Sequence, residues 1–209
     1  MDKKVMTKAI KEALEKGKKR KFTQSVELAI NFKNVKIESD DKLNLTLVLP
    51  KGRGKDTSIG VFAEGDMAVR AKKLTKYVLS AAEVNDYTKS RRKMRKFAES
   101  CEFFVAQPDM MANIGKKWGI VLGPRGKMPQ PVPPTADLEP VFNRLKDTVA
   151  VRSKKNPTVH VPIGTENMSP GDLADNALAA LDSLEQKIIK DKFDSVYVKT
   201  TMGEAVKVE

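Results

Sequence analysis

LNLTLVLPKGRGKDTSIGVFAEG, residues 43–65, changes its grammar halfway. Before Pro50, Leu43, Leu45, Leu47 and Leu49 recur with period two. That pattern predicts a strand with one buried face, as in an antiparallel sheet. After Gly52, Arg53 and Gly54, the run IGVFA at 59–63 is apolar without alternation. A short continuous run of this kind suits a strand covered on both faces, as in a parallel sheet. Two sheet types on either side of one Gly-rich turn predict two domains.

Working outward toward the N-terminus, FTQSVELAINF (22–32) alternates cleanly. Phe22, Val26, Leu28, Ile30 and Phe32 share one parity, and Ser25, Glu27 and Asn31 the other. This run and 43–49 are expected to be antiparallel neighbours joined through 33–42. A helix is expected over 3–17, from Val5, Ile10 and Leu14 with Ala9 and Ala13 beside them, and Gly17 stops it.

Past residue 59, strands and helices alternate. IGVFAEG, YVLS (77–80) and EFFVAQ (102–107) read as strands. Residues 66–75, 82–100, PDMMANIGKKWG (108–119) and TADLEPVFNRLKDTV (135–149) read as helices. IVLGPRGKMPQPVPP (120–134) reads as a strand running into a stiff loop. This alternation implies a parallel α/β unit. Antiparallel grammar returns at AVRS and TVHVPIGT, and a helix follows with Ser169 as N-cap and Pro170 at its first position. The fold class is therefore α+β and α/β. A discontinuous two-layer α+β domain, 1–52 plus 151–209, carries an inserted Rossmann-like three-layer α/β domain at 53–150, with chain crossings near Gly52 and Val151.

The net charge is +12 and the pI about 9.6. Residues 1–21 hold nine Lys/Arg against three acids, and KSRRKMRK (89–96) holds six basic residues in eight. Such clusters favour a polyanionic partner, nucleic acid before an anionic membrane. They make affinity salt-dependent but do not read sequence. One Cys and one His exclude a disulfide within the chain and the usual structural zinc site. There is no apolar run of spanning length and no signal-peptide pattern, so a soluble cytoplasmic protein is expected.

Catalytic motifs are thin. GPRGKMP (123–129) fits neither phosphate-loop spacing and runs into prolines rather than a helix. His160, between Val159 and Val161, reads either as a strand residue with a satisfied hydrogen bond or as a ligand contact. Cys101 reads as a buried inert thiol and Trp118 as packing.

The chain ends SVYVKTTMGEAVKVE (195–209), a strand interrupted by Thr200, Thr201, Met202 and Gly203. LGPRGKMPQPVPP (122–134) and SVYVKTTMG (195–203) together resemble the ribosomal protein L1 family, the proteins of the mobile stalk beside the ribosome's exit site. KFTQSVELAINF, HVPIG (160–164) and LADNALAAL (173–181) match the same pattern in order. The proline-rich PQPVPPT is similar to the archaeal–eukaryotic branch and departs from the bacterial loop, which has a Lys and a Gly there.

The resemblance implies a two-domain structural protein of the cytoplasmic large ribosomal subunit, monomeric when free, without catalysis, cofactor or membrane partner. It implies binding to the stalk of large-subunit rRNA, contact with exit-site tRNA and help in releasing it. Repression of the protein's own mRNA through a similar RNA structure is implied too. The implied RNA-binding residues are Lys21, Phe22, Ser25, Glu27, His160, Ser195, Thr201, Met202 and Gly203. A-form RNA is read through shape, 2′-hydroxyls and unpaired bases. Thr200 and Thr201 would supply hydroxyls, Met202 a polarizable surface and Gly203 close approach. Glu27 would accept from RNA or orient Lys21. Strict alternation puts Phe22 and Met202 on the parity opposite to Ser25 and Thr201, so a bulge or strand-end twist has to re-aim them. Three other readings stand beside this one: Thr-Met-Gly as a mere bulge with Phe22 and Met202 in the core, a nucleotide-dependent enzyme built on the middle domain, and a peripheral binder of anionic membranes through the basic N-terminal helix.

Overall fold

The computed structural model describes residues 2–18, 20–33, 44–153, 156–186 and 193–208. Leu43, Lys154, Lys155, Ile188 and most of the 33–42 connection lie outside the described residues. The chain begins with α1 (Lys3–Glu15), β1 (Ser25–Phe32), β2 (Asn44–Val48) and β3 (Ile59–Phe62). Next come α2 (Gly65–Leu74), β4 (Val78–Leu79), α3 (Ala81–Thr88), α4 (Arg91–Ser100) and β5 (Phe103–Ala106). Then follow α5 (Pro108–Arg125), β6 (Gln130–Pro131), α6 (Leu138–Lys146) and β7 (Thr148–Arg152). The chain closes with β8 (Thr158–Thr165), α7 (Pro170–Glu185), β9 (Phe193–Thr200) and β10 (Val206–Lys207). Met1–Lys55 and Asp147–Glu209 form one compact unit, and Asp56–Lys146 forms a second.

In the first unit, an antiparallel sheet has the order β10-β9-β1-β8, and a separate pair joins β2 to β7. The alternation of β1 is realised: Val26, Leu28, Ile30 and Phe32 are buried, with Val196 and Val198 of β9 and Val159 and Val161 of β8 beside them. Met6, Ile10 and Ala13 of α1 and Leu173, Ala177, Leu181 and Leu184 of α7 close this core, giving two layers. The expected pairing of β1 with 43–49 is wrong, because β2 pairs with β7. Alternation identifies a buried face but not a partner, and Leu45, Leu47, Val149 and Val151 reach the same core from a second small sheet. The start of α7 is as read: Ser169 Oγ accepts from Asp172 N–H at 3.1 Å, and Pro170 is the first helical residue.

In the second unit the parallel order is β4-β3-β5-β6. Apolar side chains of α2 and α6 pack with one cluster of strand residues. Those of α3, α4 and α5 pack with another. This makes the three-layer α/β arrangement. Trp118 is fully buried, and its indole N–H donates to Val84 O at 3.3 Å. Residues 82–100 form two helices rather than one, broken at Lys89 and Ser90.

The strand expected from Ile120 is instead the end of α5. The apolar run is divided around the helix, with Val121 and Leu122 buried and Ile120 exposed. Pro124 sits in the last turn; it brings no N–H for the carbonyl four residues back, and the helix ends one residue later. Gly126 then ends the helix at φ 59° and ψ 37°, with its N–H on Gly123 O and the Lys127 N–H on Leu122 O, a Schellman stop. The Gly-Pro-Arg-Gly run therefore lies at the negative end of a helix, the wrong end to hold a phosphate.

Candidate nucleic-acid interface

Three segments meet where β1 begins. Ser25 of β1 stands opposite Thr165, at the end of β8. Val26 stands opposite Thr200, at the end of β9. The segment before β1, the turn after β8 and the turn after β9 therefore converge at one end of the sheet. The turn after β9 contains the Thr-Met-Gly that interrupts the terminal strand. It is not a bulge: the chain reverses there, and β10 returns antiparallel, with Val206 opposite Val198 and Lys207 opposite Tyr197.

Thr201 closes this end. Its N–H donates to Ser25 O at 3.0 Å, and its hydroxyl accepts from Ser25 N–H at 3.0 Å and donates to Ser25 O at 3.2 Å. Met202 is 58 % exposed and Phe22 51 % exposed, so neither belongs to the core. Both lie beyond the strand ends, where period-two parity no longer governs direction; this removes the parity conflict. Lys21 is exposed beside Phe22.

The expected roles of two neighbours change. Thr200 offers no hydroxyl to a ligand, because it is 1 % exposed, and its Oγ1 has no hydrogen-bond partner among the described residues. Gly203 is required by packing: a Cβ there would lie 2.2 Å from Thr200 Oγ1 and 3.6 Å from Gly17 Cα.

The remaining residues lie on the sheet face turned away from α1 and α7. Glu27 stands opposite Lys199 on β9 and Pro162 on β8, after a register shift between Val26 and Glu27. Lys199, rather than Lys21, is thus the cross-strand cation of Glu27. His160 is exposed opposite Ala29, which also faces Tyr197. Ser195 faces Asn31, and the Asn31 amide donates to Ser195 Oγ at 3.0 Å while accepting from the Thr158 hydroxyl at 2.8 Å. The structure thus gathers Phe22, Ser25, Thr201, Met202 and Gly203 at the strand end. Ser195 lies six β1 positions away, roughly 20 Å along the sheet.

Sequence reasoning missed Gln24 and Glu166. Gln24 is 1 % exposed and carries hydrogen bonds to Lys18, Glu166 and Met202. Its signal was present: it occupies the apolar parity between Phe22 and Val26, where a polar side chain needs buried partners.

Among the described residues, no group of three His, Cys, Asp or Glu could hold a metal ion, and no helix is long and apolar enough to cross a membrane. What remains is a rim of hydrogen-bonding groups with two exposed apolar side chains, on a chain of net charge +12.

The model of the "Ribosomal protein L1p/L10e family" matches residues 13–204. The chain is 46 % identical to the large ribosomal subunit protein uL1 of Thermococcus kodakarensis, over 100 % of this chain and 98 % of that protein. It is 45 % identical to that of Pyrococcus horikoshii, over 100 % and 97 %, and 42 % identical to that of Archaeoglobus fulgidus, over 100 % and 99 %. With a match from residue 13 to 204 and relatives this similar along their whole length, the chain belongs to the ribosomal protein L1 family, in its archaeal form.

Proposed function

We propose that the unit built from both ends of the chain is the RNA-binding domain, and that it binds the stalk segment of large-subunit rRNA. As a member of a structural, non-enzymatic family, the protein is a constituent of the large ribosomal subunit. The observation that carries the RNA reading is the strand end itself. Phe22 and Met202, both more than half exposed, flank the Ser25–Thr201 closure, and exposed Lys21 stands beside them. Aromatic and thioether surfaces can lie against bases or riboses, while short polar groups and backbone accept or donate to 2′-hydroxyls. Glu27, His160 and Ser195 extend the contact along the sheet face, and Gly203 keeps the turn compact beneath Met202.

Three finer roles rest on the family resemblance: contact with exit-site tRNA during its release, repression of the protein's own mRNA through a stalk-like RNA structure, and a monomeric free state. A titration of the purified protein against a stalk-like rRNA fragment, with an RNA duplex of equal length as control, tests the reading. Preference for the fragment supports it, and equal binding to both contradicts it.

A further inference from the structure

We propose that Gln24, backed by Glu166, is a positioning residue that sets the two displayed apolar side chains, Phe22 and Met202, in fixed relation; this rests on the RNA reading above. Gln24 Oε1 accepts from the Met202 backbone N–H at 3.1 Å. Gln24 Nε2 donates to Lys18 O and to Glu166 Oε2, both at 3.1 Å. The Gln24 N–H donates to Glu166 Oε1 at 3.0 Å, and Gln24 O accepts from the Glu166 N–H at 3.0 Å.

One side chain therefore fastens the turn that displays Met202 and the start of the segment that displays Phe22. The Glu166 carboxylate holds that side chain from behind. The chemistry singles out glutamine, because the position needs one acceptor and two donors on a short neutral stem. Glutamate has no donor, lysine no acceptor and methionine neither in useful strength. Residues 18 and 202 are far apart in the chain, and without this anchor each loop would have more freedom to lose when RNA binds. Ordering them beforehand removes that entropic cost from association. Gln24 is buried, so it acts through the loops and not by touching RNA.

The experiment compares the wild type, Gln24→Glu, Glu166→Gln, the swapped pair Gln24→Glu/Glu166→Gln, and Met202→Asp. Each is titrated with the stalk-like rRNA fragment at several salt concentrations. Gln24→Glu keeps the acceptor for Met202 but loses both donors and places two carboxylates together. It is expected to weaken fragment binding roughly tenfold. The salt slope is expected to stay unchanged, because no phosphate contact is lost. The swapped pair restores a donor facing an acceptor and is expected to recover most of that loss. A folded Gln24→Glu that binds as the wild type does, while Met202→Asp binds weakly, overturns this proposal and leaves the RNA reading standing. Wild-type binding by Met202→Asp overturns the RNA reading, and this proposal with it. If Gln24→Glu does not fold, the swapped pair is set against Glu166→Gln alone. Tighter binding by the pair supports the proposal, and equal or weaker binding overturns it.

Discussion

The hydroxyl of Thr201 is locked to the backbone of Ser25 in both directions, accepting at 3.0 Å and donating at 3.2 Å. The side chain of one strand end completes the ladder of the next. Thr201→Val leaves the Ser25 N–H without that acceptor, at a cost of about 1 kcal/mol in folding stability. RNA affinity is expected to fall as well, by about 1–3 kcal/mol, a range typical of specific nucleic-acid contacts. Thr201→Ser keeps the hydroxyl and is expected to restore most of both. Denaturant unfolding and RNA titration of the two variants separate the effects.

Two glycines make room for Thr200. A Cβ on Gly17 would meet Thr200 Oγ1 at 3.2 Å, and one on Gly203 would meet it at 2.2 Å. Gly203→Ala is expected to destabilise the fold by 1–3 kcal/mol or about that range, through overpacking. Adding Thr200→Ala should recover part of the loss, and Gly203→Ala stability unaffected by the Thr200 background would contradict the packing account. Thr200→Val alone removes a buried, unpartnered hydroxyl at nearly constant shape. It is expected to be neutral or stabilising in thermal unfolding.

These two residues mark what was legible in the chain. Period two revealed the buried faces of β1 and β9, because alternation is a local consequence of one-sided burial. It did not reveal that β1 lies between β8 and β9, because a partner is chosen by the whole core. The Thr-Thr-Met-Gly break was visible, but not its reversal into a hairpin, since a turn and a bulge use the same residue types. Ile120, Val121 and Leu122 read as a strand because a short apolar run fits either element. The exposed site residues came through motif resemblance. Gln24 did not, because its role depends on atoms of residues 18, 166 and 202.

Cys101 is fully buried, and burial pushes its thiol up to about 11 from an ordinary 9.0, against smaller opposing effects of Ser100 and Lys127. At neutral pH the native protein is expected to resist thiol reagents, and unfolding to expose one reactive group. The raised value means that the folded state favours the neutral thiol. Its contribution to stability is complete below pH 9 and is lost as pH rises through about 11. Labelling rates with and without denaturant, and denaturation midpoints between pH 8 and 11, check both statements.

α4 opens with Arg91, Arg92 and Lys93 and has no acid in its first turn. Cations at the positive end of a helix are unfavourable by a few tenths of a kcal/mol or more. Arg92→Glu is therefore expected to raise stability by about 0.3–1 kcal/mol. If these exposed cations steer RNA, the same change flattens the dependence of affinity on salt without altering preference among RNAs. Greater stability with an unchanged salt slope would mean that α4 takes no part in binding.

The central claim is that the end of the sheet at Ser25, Thr201 and Met202 reads RNA, while the basic clusters only attract it. The most direct measurement is a titration of wild type and Met202→Asp with a stalk-like rRNA fragment and an equal-length duplex, at low and high salt. The account predicts that the wild type prefers the fragment at both salt concentrations and that Met202→Asp loses that preference while keeping its weak, salt-sensitive affinity for the duplex. Equal binding to both RNAs, falling alike with salt and unchanged in the variant, would contradict it.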